Sequence, residues 1–451
     1  MITCLFKPTK YKSKSGLAYI DILIAVGILM ILSGALFALV TSSLEMTSFT
    51  RARITARHLA QEKIELIRNL PYAEVGTIGG VPTGPLLQNE SVFRNGLNYT
   101  VDISIVFVDD PFDQLAPSDL LPTDYKRVRV DVSWKGLAAS GKNPITLITD
   151  IAPKGVETEA GGGTLSILVF DANGDPVPQA IVDISSDETS VNLTQETNDD
   201  GRLILPGTPT CVACYQIIVS KEGFSSEKTY STDEIANPHK PLQTVLESKL
   251  TESSFAIDKT STLTVFSTAD RNSNFEPLPG QNFELKGEKT IGFDINDEPV
   301  YKYEESFVTD GSAQTIIDNL EWDNYHLFSP AGSGWDIAGV NPLTPISIFP
   351  DQQLQLAFAL AIDSSNNLLT IFKNSSDVPI ASVAAKLSDS LGFEASSSSG
   401  LSENPDFGQI FFADLDNRNY ILEATVSGFA DFSGSFLING DTIEEIILNQ
   451  G

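Results

Sequence analysis

One stretch limits what this chain can become. It is Lys12 to Val40, KSKSGLAYIDILIAVGILMILSGALFALV. Lysines and a Ser-Gly pair open it, and the 24 residues from Leu17 to Val40 carry a single charge, Asp21. About 20 apolar residues in a helix cross the hydrocarbon core of a bilayer, so this run is long enough to span one. The apolar core of a secretory signal is shorter, about 7–15 residues, and ends in small residues at its cleavage site. Here the small residue, Gly16, precedes the run. Cleavage after it would remove only a basic leader and leave the apolar helix as the new N-terminus. A lone carboxylate at membrane depth is expensive and is normally paired. The natural partner of Asp21 is a free amine, such as the N-terminus of an adjacent helix. The plainer alternative is an ordinary signal anchor with an incidental Asp.

Past Val40 the chain meets neither Pro nor Gly before Leu70, and Pro71 stops it. Leu44, Ala52, Ala56, Leu59, Ala60, Ile64 and Ile67 recur at three- and four-residue steps, the stripe of an amphipathic helix. Arg51, Arg53, Arg57, Glu62, Lys63 and Glu65 take the other face. The spacing predicts one helix from Leu17 to Leu70, about 80 Å long. His58 falls on its charged side as a solvated residue.

The formal charge is −30 over 451 residues, room for three or four domains. Losing residues 1–16, with their four lysines and no acid, would take it to −34. Such acidity excludes nucleic acid as a partner, since phosphate contact needs Lys and Arg. It suits a soluble exterior or one that gathers cations. The lysines precede the span and the acidic bulk follows it. That places the N-terminus in the cytoplasm and residues beyond the span outside.

The basic leader ending in Gly16, the acid five residues into the cut chain and the text GLAYIDILIAVGIL resemble the prepilin signal of type IV pilins and type II secretion pseudopilins. Leu17 stands where that family usually has Phe, and Asp21 where it has Glu. The resemblance implies cleavage after Gly16 by a prepilin peptidase, N-methylation of Leu17, and an assembly role for Asp21. It also implies partners: other pilin or pseudopilin subunits through the N-terminal helix, an inner-membrane assembly platform, and membrane lipid before assembly.

Residues 72–155 read as a small β head. Gly76, Gly79, Gly80, Pro82, Gly84 and Pro85 make a loop. Leu97–Val108, Tyr125–Trp134 and Ile145–Ile151 then alternate apolar and polar residues, as half-buried strands do. These strands resemble the heads of minor pilins, with a Y-x-V strand, a V-x-V-x-W strand and a Thr-rich last strand. Between two of them lies DDPFDQLAPSDLLPTD. Its Asp109, Asp110 and Asp113 are oxygen donors of the kind Ca²⁺ takes. The spacing matches no EF-hand and the prolines mark a surface loop, so a solvated loop is the reading and Ca²⁺ the alternative. No metal site is firm, and no cofactor is expected.

Residues 156–163 (VETEAGGG) read as a linker. An internal repeat follows. Its units open at Thr164, Thr262 and Leu368, over 164–250, 262–362 and 368–451. Each has a strand, a polar turn and a Pro step (Asp175-Pro176, Glu276-Pro277, Val378-Pro379). Each later has a Gly turn and a Tyr in an alternating strand: Tyr215, Tyr325 and Tyr420. Short strands with turn signals predict β-sandwiches. The first unit, with DANGDPVPQA, TNDDGR and YQIIVSKEGF, resembles the carboxypeptidase regulatory-like fold, an immunoglobulin-type sandwich. That resemblance implies a spacer or binding platform with no catalytic residues. The fold class is α+β: a long transmembrane and amphipathic helix with a pilin head, then all-β sandwiches.

Cys211 and Cys214 form a CxxC ahead of a strand. Thioredoxin-type chemistry needs a helix N-terminus there, and zinc about four ligands. A local disulfide pinning the turn is the reading, with free thiols next. Cys4 lies in the leader. His239 and His326 have no metal-spaced partner, and no nucleophile motif occurs; the chain is not expected to be an enzyme. Trp322, Trp335 and Tyr325 lie close in sequence and suit a sandwich core better than a sugar platform. Ser396 to Ser399 read as a flexible loop. The expected function is a minor pilin or pseudopilin. It would sit in a cell-surface filament at low copy or at the tip, after a stage in the cell membrane. The alternative is an adhesin whose sandwiches bind glycan or surface protein.

Overall fold

No proline interrupts the chain between Ala18 and Asn69, and the computed structural model makes Ala18–Arg68 one helix, α1. The structure describes residues 18–109, 123–135, 144–153 and 161–451. These fall into two compact units, before and after position 160. Helix α1 stops two residues short of Leu70. Asn69 closes it by donating from its side chain to the carbonyl of Glu65 at 2.7 Å, and Pro71 has no N–H to continue.

In the first unit β1 (Asn89–Arg94), β2 (Leu97–Val108), β3 (Tyr125–Trp134) and β4 (Ile145–Ile151) form one sheet in that order. Every neighbouring pair is antiparallel. The last three strands begin and end where the alternation of the sequence places them. Alternate residues share a face, so Tyr99, Val101, Ile103, Ile105, Val128, Val130 and Val132 all meet the helix. Ala56, Leu59, Ala60, Ile64 and Ile67 answer them. Two alanines in that stripe let the helix axis sit close to the sheet. The loop over residues 76–86 turns on itself so tightly that a Cβ on Gly76 would lie 2.3 Å from the carbonyl oxygen of Thr83.

The second unit holds three pairs of facing sheets and one further small three-stranded sheet. The first spans β5 (Gly163–Phe170), β6 (Ile181–Ser186), β7 (Val191–Glu196), β8 (Arg202–Thr208), β9 (Cys211–Ser220), β10 (Glu227–Lys228), β11 (Asn237–Pro238), β12 (Gln243–Val245) and β13 (Leu250–Ala256). Its sheets are β13-β5-β8 and β10-β9-β6-β7, with β12 also on β9. The Gly-rich stretch expected as a linker is taken up here from its end. Gly163 is already strand, and Gly162 donates its N–H to the Glu247 carboxylate at 3.1 Å.

The second pair spans β14 (Ser261–Ala269), β15 (Asn282–Gly287), β16 (Thr290–Phe293), β17 (Pro299–Tyr301), β18 (Glu304–Val308), β19 (Gln314–Leu320), β20 (Asp323–Phe328), β21 (Trp335–Asn341), β22 (Ile346–Ile348) and β23 (Gln353–Ile362). Its sheets are β19-β14-β23-β21 and β18-β15-β20-β22. The third spans β24 (Asn367–Asn374), β25 (Ala384–Ser388), β26 (Glu394–Ser398), β27 (Gln409–Phe412), β28 (Arg418–Thr425), β29 (Phe432–Ile438) and β30 (Asp441–Leu448), as β27-β24-β30 and β26-β25-β28-β29. Ser396 to Ser398 belong to β26, not to a flexible loop, and Ser399 is buried with its hydroxyl on the carbonyl of Ile380.

The three pairs are built alike. In each the first and last strands run parallel: β5 with β13, β14 with β23, β24 with β30. In each one residue of the first strand donates to a left-handed turn residue: Val169 to Gly201, Ser267 to Ala313, Phe372 to Gly408, at 2.8, 3.0 and 2.8 Å. The three prolines bridge back to that strand in all three. The left-handed position of the second pair is Ala313, two residues past Gly311, where the Gly turn is expected.

One cation lies inside the head. Lys126 is 3% exposed. Its Nζ donates to the carbonyls of Tyr72 and Val75, both at 2.7 Å, and sits over the Tyr72 and Phe107 rings. Burial pulls its ammonium down to about 8, whereas the unfolded chain keeps a value near 10.4. Between those values the unfolded chain holds a proton that the folded head has released, so stability rises with pH through that window. We predict that the thermal midpoint of the head climbs from pH 7.5 to pH 10, by on the order of 1–3 kcal/mol in stability. Lys126→Met should remove the climb and lower the midpoint at pH 10, because two carbonyls lose their donor. The same climb in the variant would contradict this assignment.

Candidate functional site

Helix α1 is two surfaces in one element. Beyond Thr50 its stripe is packed, with Ala56 and Ile67 fully buried. From Tyr19 to Met46 its described large apolar side chains are exposed, Tyr19 at 79% and Met46 at 73%, and packing starts at Phe49, whose ring centre lies 5.9 Å from that of Trp134. Among the described residues this is the one helix long and apolar enough to cross a membrane. An all-round apolar helix in water is unfavourable at roughly 25 cal/mol per Å², and contiguous apolar surface on this scale marks contact with lipid or with other helices. Three threonine hydroxyls at its lower end are satisfied inside the helix. Thr41 donates to the carbonyls of Phe37 and Ala38 at 3.1 and 2.9 Å, Thr47 to Ser43 and Thr50 to Met46, both at 2.8 Å. A polar group that finds its partner locally tolerates an apolar environment.

The packed half fixes the direction of the free half. The Arg94 guanidinium pairs with Glu62 at 3.2 Å, Asn95 donates to Thr55 at 3.0 Å, and Lys63 pairs with Glu90. All three ties come from the β1–β2 hairpin. The Tyr99 hydroxyl donates to the carbonyl of Ala52 at 3.3 Å, where packing ends and exposure begins.

Gly16 and Leu17 lie outside the described residues. Asp21 is in α1, and its side chain is not described. Of the loop carboxylates, Asp109 follows β2, while Asp110 and Asp113 lie outside the described residues. His58 is exposed on α1.

The CxxC sits at the start of β9 rather than in a turn before it. A disulfide joins Cys211 and Cys214, with Cα atoms 6.0 Å apart. It closes a bulge: Val245 of β12 pairs with Cys211 and Gln243 with Tyr215. Ala213, inside the bulge at φ +51, donates its N–H to Thr244 at 2.8 Å. The three tyrosines of the repeat are buried at matching places. The hydroxyls of Tyr215 and Tyr325 donate to the carbonyls of Pro209 and Glu321 at 2.7 and 2.9 Å, and that of Tyr420 accepts from the Asp416 N–H at 3.0 Å. This is the tyrosine corner of immunoglobulin-type sandwiches. Burial pushes the phenols of all three up. Trp322 lies under the Lys289 ammonium, 3.4 Å from its ring centre, while Trp335 packs on the second core. The imidazoles of His239 and His326 meet Thr290 and Glu288, each at 3.0 Å.

The sandwiches are joined tightly. Only residues 257–260 separate β13 from β14, and 363–366 separate β23 from β24. β11 of the first pair adds to β16 of the second. Between second and third, the Gln409 amide, fully buried, donates to the carbonyl of Val340 at 2.8 Å and accepts its N–H at 3.1 Å. Arg271 donates to Asp406 at 2.8 Å, and Asn341 to the carbonyls of Ser402 and Asn404 at 3.0 and 2.9 Å.

No protein-family model matches the chain, and no curated protein matches it in sequence. Among solved structures, the Bacillus anthracis TIE protein aligns with 81% of this chain and 73% of its own, at 13% identity and a TM-score of 0.19. A streptococcal ancillary pilin aligns with 64% of this chain and 99% of its own, at 14% and 0.18. The minor pilin of Streptococcus agalactiae aligns with 42% and 96%, at 13% and 0.18. Likeness at these scores carries no argument about function.

In the chain with Cys4→Ser, unfolded without reductant, alkylation should label no thiol, and reduction should expose two. Closing so short a loop is worth about 2 kcal/mol in the chain-entropy model, so Cys211→Ser with Cys214→Ser should lower the stability of that sandwich by about that much. Two thiols labelled without reductant would refute the bond.

Proposed function

We propose that the chain is a minor pilin or pseudopilin. In this reading it is processed after Gly16, held in the membrane by the apolar half of α1, and then drawn into a type IV or type II secretion-like filament through that half. The observation that supports it best is the division of α1 at Thr50. One half is seated on an antiparallel sheet, and in the other the run from Ile22 to Val40 carries no charge and has its large side chains exposed. Such a helix is stable first in lipid and then against other copies of itself. Gly27 and Gly34, seven residues apart, recur on one side and let neighbouring helices approach.

Asp21 then lies four residues, about one helical turn, past Leu17, where its charge favours pairing with a neighbour's amine. The head and the three sandwiches stay outside as cargo, and so large a cargo favours low copy or a tip position. The peptidase, the assembly platform and other subunits are the partners of this reading, and it gives the chain no catalytic role. The rigid joints between the sandwiches suit a second reading as well, an arm that presents a binding surface away from the cell.

Two variants test the proposal in the cell. Gly16→Ala should leave the full-length chain uncut while membrane insertion continues. Asp21→Ala should insert and mature but enter filaments several-fold less, and Asp21→Glu should restore entry. Normal maturation of Gly16→Ala would defeat the prepilin reading. Undiminished entry of Asp21→Ala would defeat the pairing.

A further inference from the structure

Between the second and third sandwiches lies a cleft of about 400 Å³, within the range of small-ligand sites. Its floor is the outer face of β24 and β30. Their parallel register sets Asn367 beside Asp441, Leu369 beside Ile443 and Ile371 beside Glu445. Residues two apart on a strand share a face, so the floor is an apolar step with polar ends. The facing wall is the turn that carries Trp335, shaped by Gly332 and Gly334 at φ +74 and +83.

The charges of this cleft are one-sided. Asp336, Asp363, Asp441 and Glu445 line it, and no Lys or Arg does. Glu445 has Lys373 beside it at 2.7 Å. Asp336 and Asp441 share the neutral Asn367 amide, at 2.9 and 2.6 Å, and Asp336 also accepts from the Ser364 N–H and hydroxyl at 2.9 and 3.2 Å. Asp336 is 7% exposed, and burial, followed by the repulsion of Asp441, pushes its carboxyl up. Two carboxylates whose donors here are all neutral leave negative potential at the end of an apolar trough. Among the described residues no third His, Cys or carboxylate joins Asp336 and Asp441 within metal-ligand reach; the one such group of three is Glu188, Cys211 and Cys214. An anion is repelled.

We propose that this cleft binds an organic ammonium on an apolar stem. Asp441 and Asp336 take the charge, and Leu369, Ile443 and the Trp335 ring take the stem. Aromatic faces and carboxylates together are the chemistry that selects alkylammonium groups over neutral isosteres. The ammonium can belong to a lysine side chain of a peptide or to a free alkylamine. The inference goes beyond filament assembly and stands or falls apart from it, since it needs only residues 323–448.

The test is calorimetric titration of the full chain in nanodiscs with n-butylammonium chloride, n-butanol and the peptide acetyl-Gly-Leu-Lys-Leu-Gly-amide, each corrected against empty discs. Butylammonium should bind at least about tenfold more tightly than butanol. Asp441→Asn keeps the shape and the Asn367 hydrogen bond and should lose about tenfold. Ile443→Ser, at an exposed position, should weaken the stem contact without unfolding the sheet. Asp431→Asn, exposed and outside the cleft, should change nothing. Tighter binding of the peptide identifies a lysine side chain as the ligand, and tighter binding of the amine a free alkylamine. Equal binding of butanol, affinity indifferent to Asp441→Asn, or no binding of either cation would overturn the proposal.

Discussion

The seating of the lower half of α1 on the β2–β3 face is the contact on which the rest of the first unit depends. Seven alternate residues of two strands and a stripe of five on the helix form one core. Burying a side chain such as Ile67 or Leu59 contributes roughly 1.5–3 kcal/mol. A lone helix in water gains little from propensity alone, and the packed face is what holds its lower half. The upper half inherits its direction from that seat but gains no burial of its own. It is therefore left with surface that only lipid or another apolar helix satisfies. The constraint is physical before it is functional: one continuous helix, half in a core and half without one.

The second unit solves a different problem three times. Each sandwich closes its first strand against its last in parallel, donates from its first strand to a distant left-handed turn residue, and ties a buried tyrosine to backbone at its corner. The repetition of the Val169–Gly201, Ser267–Ala313 and Phe372–Gly408 hydrogen bonds shows one design with different side chains. Joints of four residues, with backbone and amide hydrogen bonds across them, leave these sandwiches little freedom. A cleft between two of them is consequently a fixed shape, which lowers the ordering cost of any ligand that fits it.

Much of this was legible in the sequence. Alternation in Leu97–Val108, Tyr125–Trp134 and Ile145–Ile151 gives those strands to the residue, because one face is buried and the other wet. The helix is legible for the same reason, with a different period. β1 is not, because Asn89–Arg94 is a polar edge strand held by its neighbour's backbone. Its signal is the turn after it, Asn95-Gly96, a pair suited to a two-residue hairpin with both residues at positive φ. β26 misleads for a related reason. A run of serines reads as loop, but at an edge the strand Glu394–Ser398 is held by pairing with β25 and needs no apolar side chains.

The cleft was hidden because its floor joins residues 74 apart in sequence, Asn367 and Asp441. One hint was present. β24 reads NLLTIF, an unbroken run rather than an alternation, and a strand that reads so is covered on both faces. Leu369 and Ile371 point away from their own core onto the cleft floor and are 5% and 9% exposed. The metal alternative at Asp109, Asp110 and Asp113 and the processing positions Gly16 and Leu17 rest, Asp109 excepted, on residues outside the described ones. Chemistry rather than geometry must decide them.

The central claim is that the bare half of α1 is an assembly element exposed by processing. The most direct measurement is the intact mass and N-terminal sequence of the chain recovered from the cell envelope and from sheared surface filaments. The account predicts a chain that begins at Leu17, carries one methyl group on its α-amine, and is present in the filament fraction. A chain that retains Met1, or one cut beyond Val40 so that the apolar helix is lost, would contradict it.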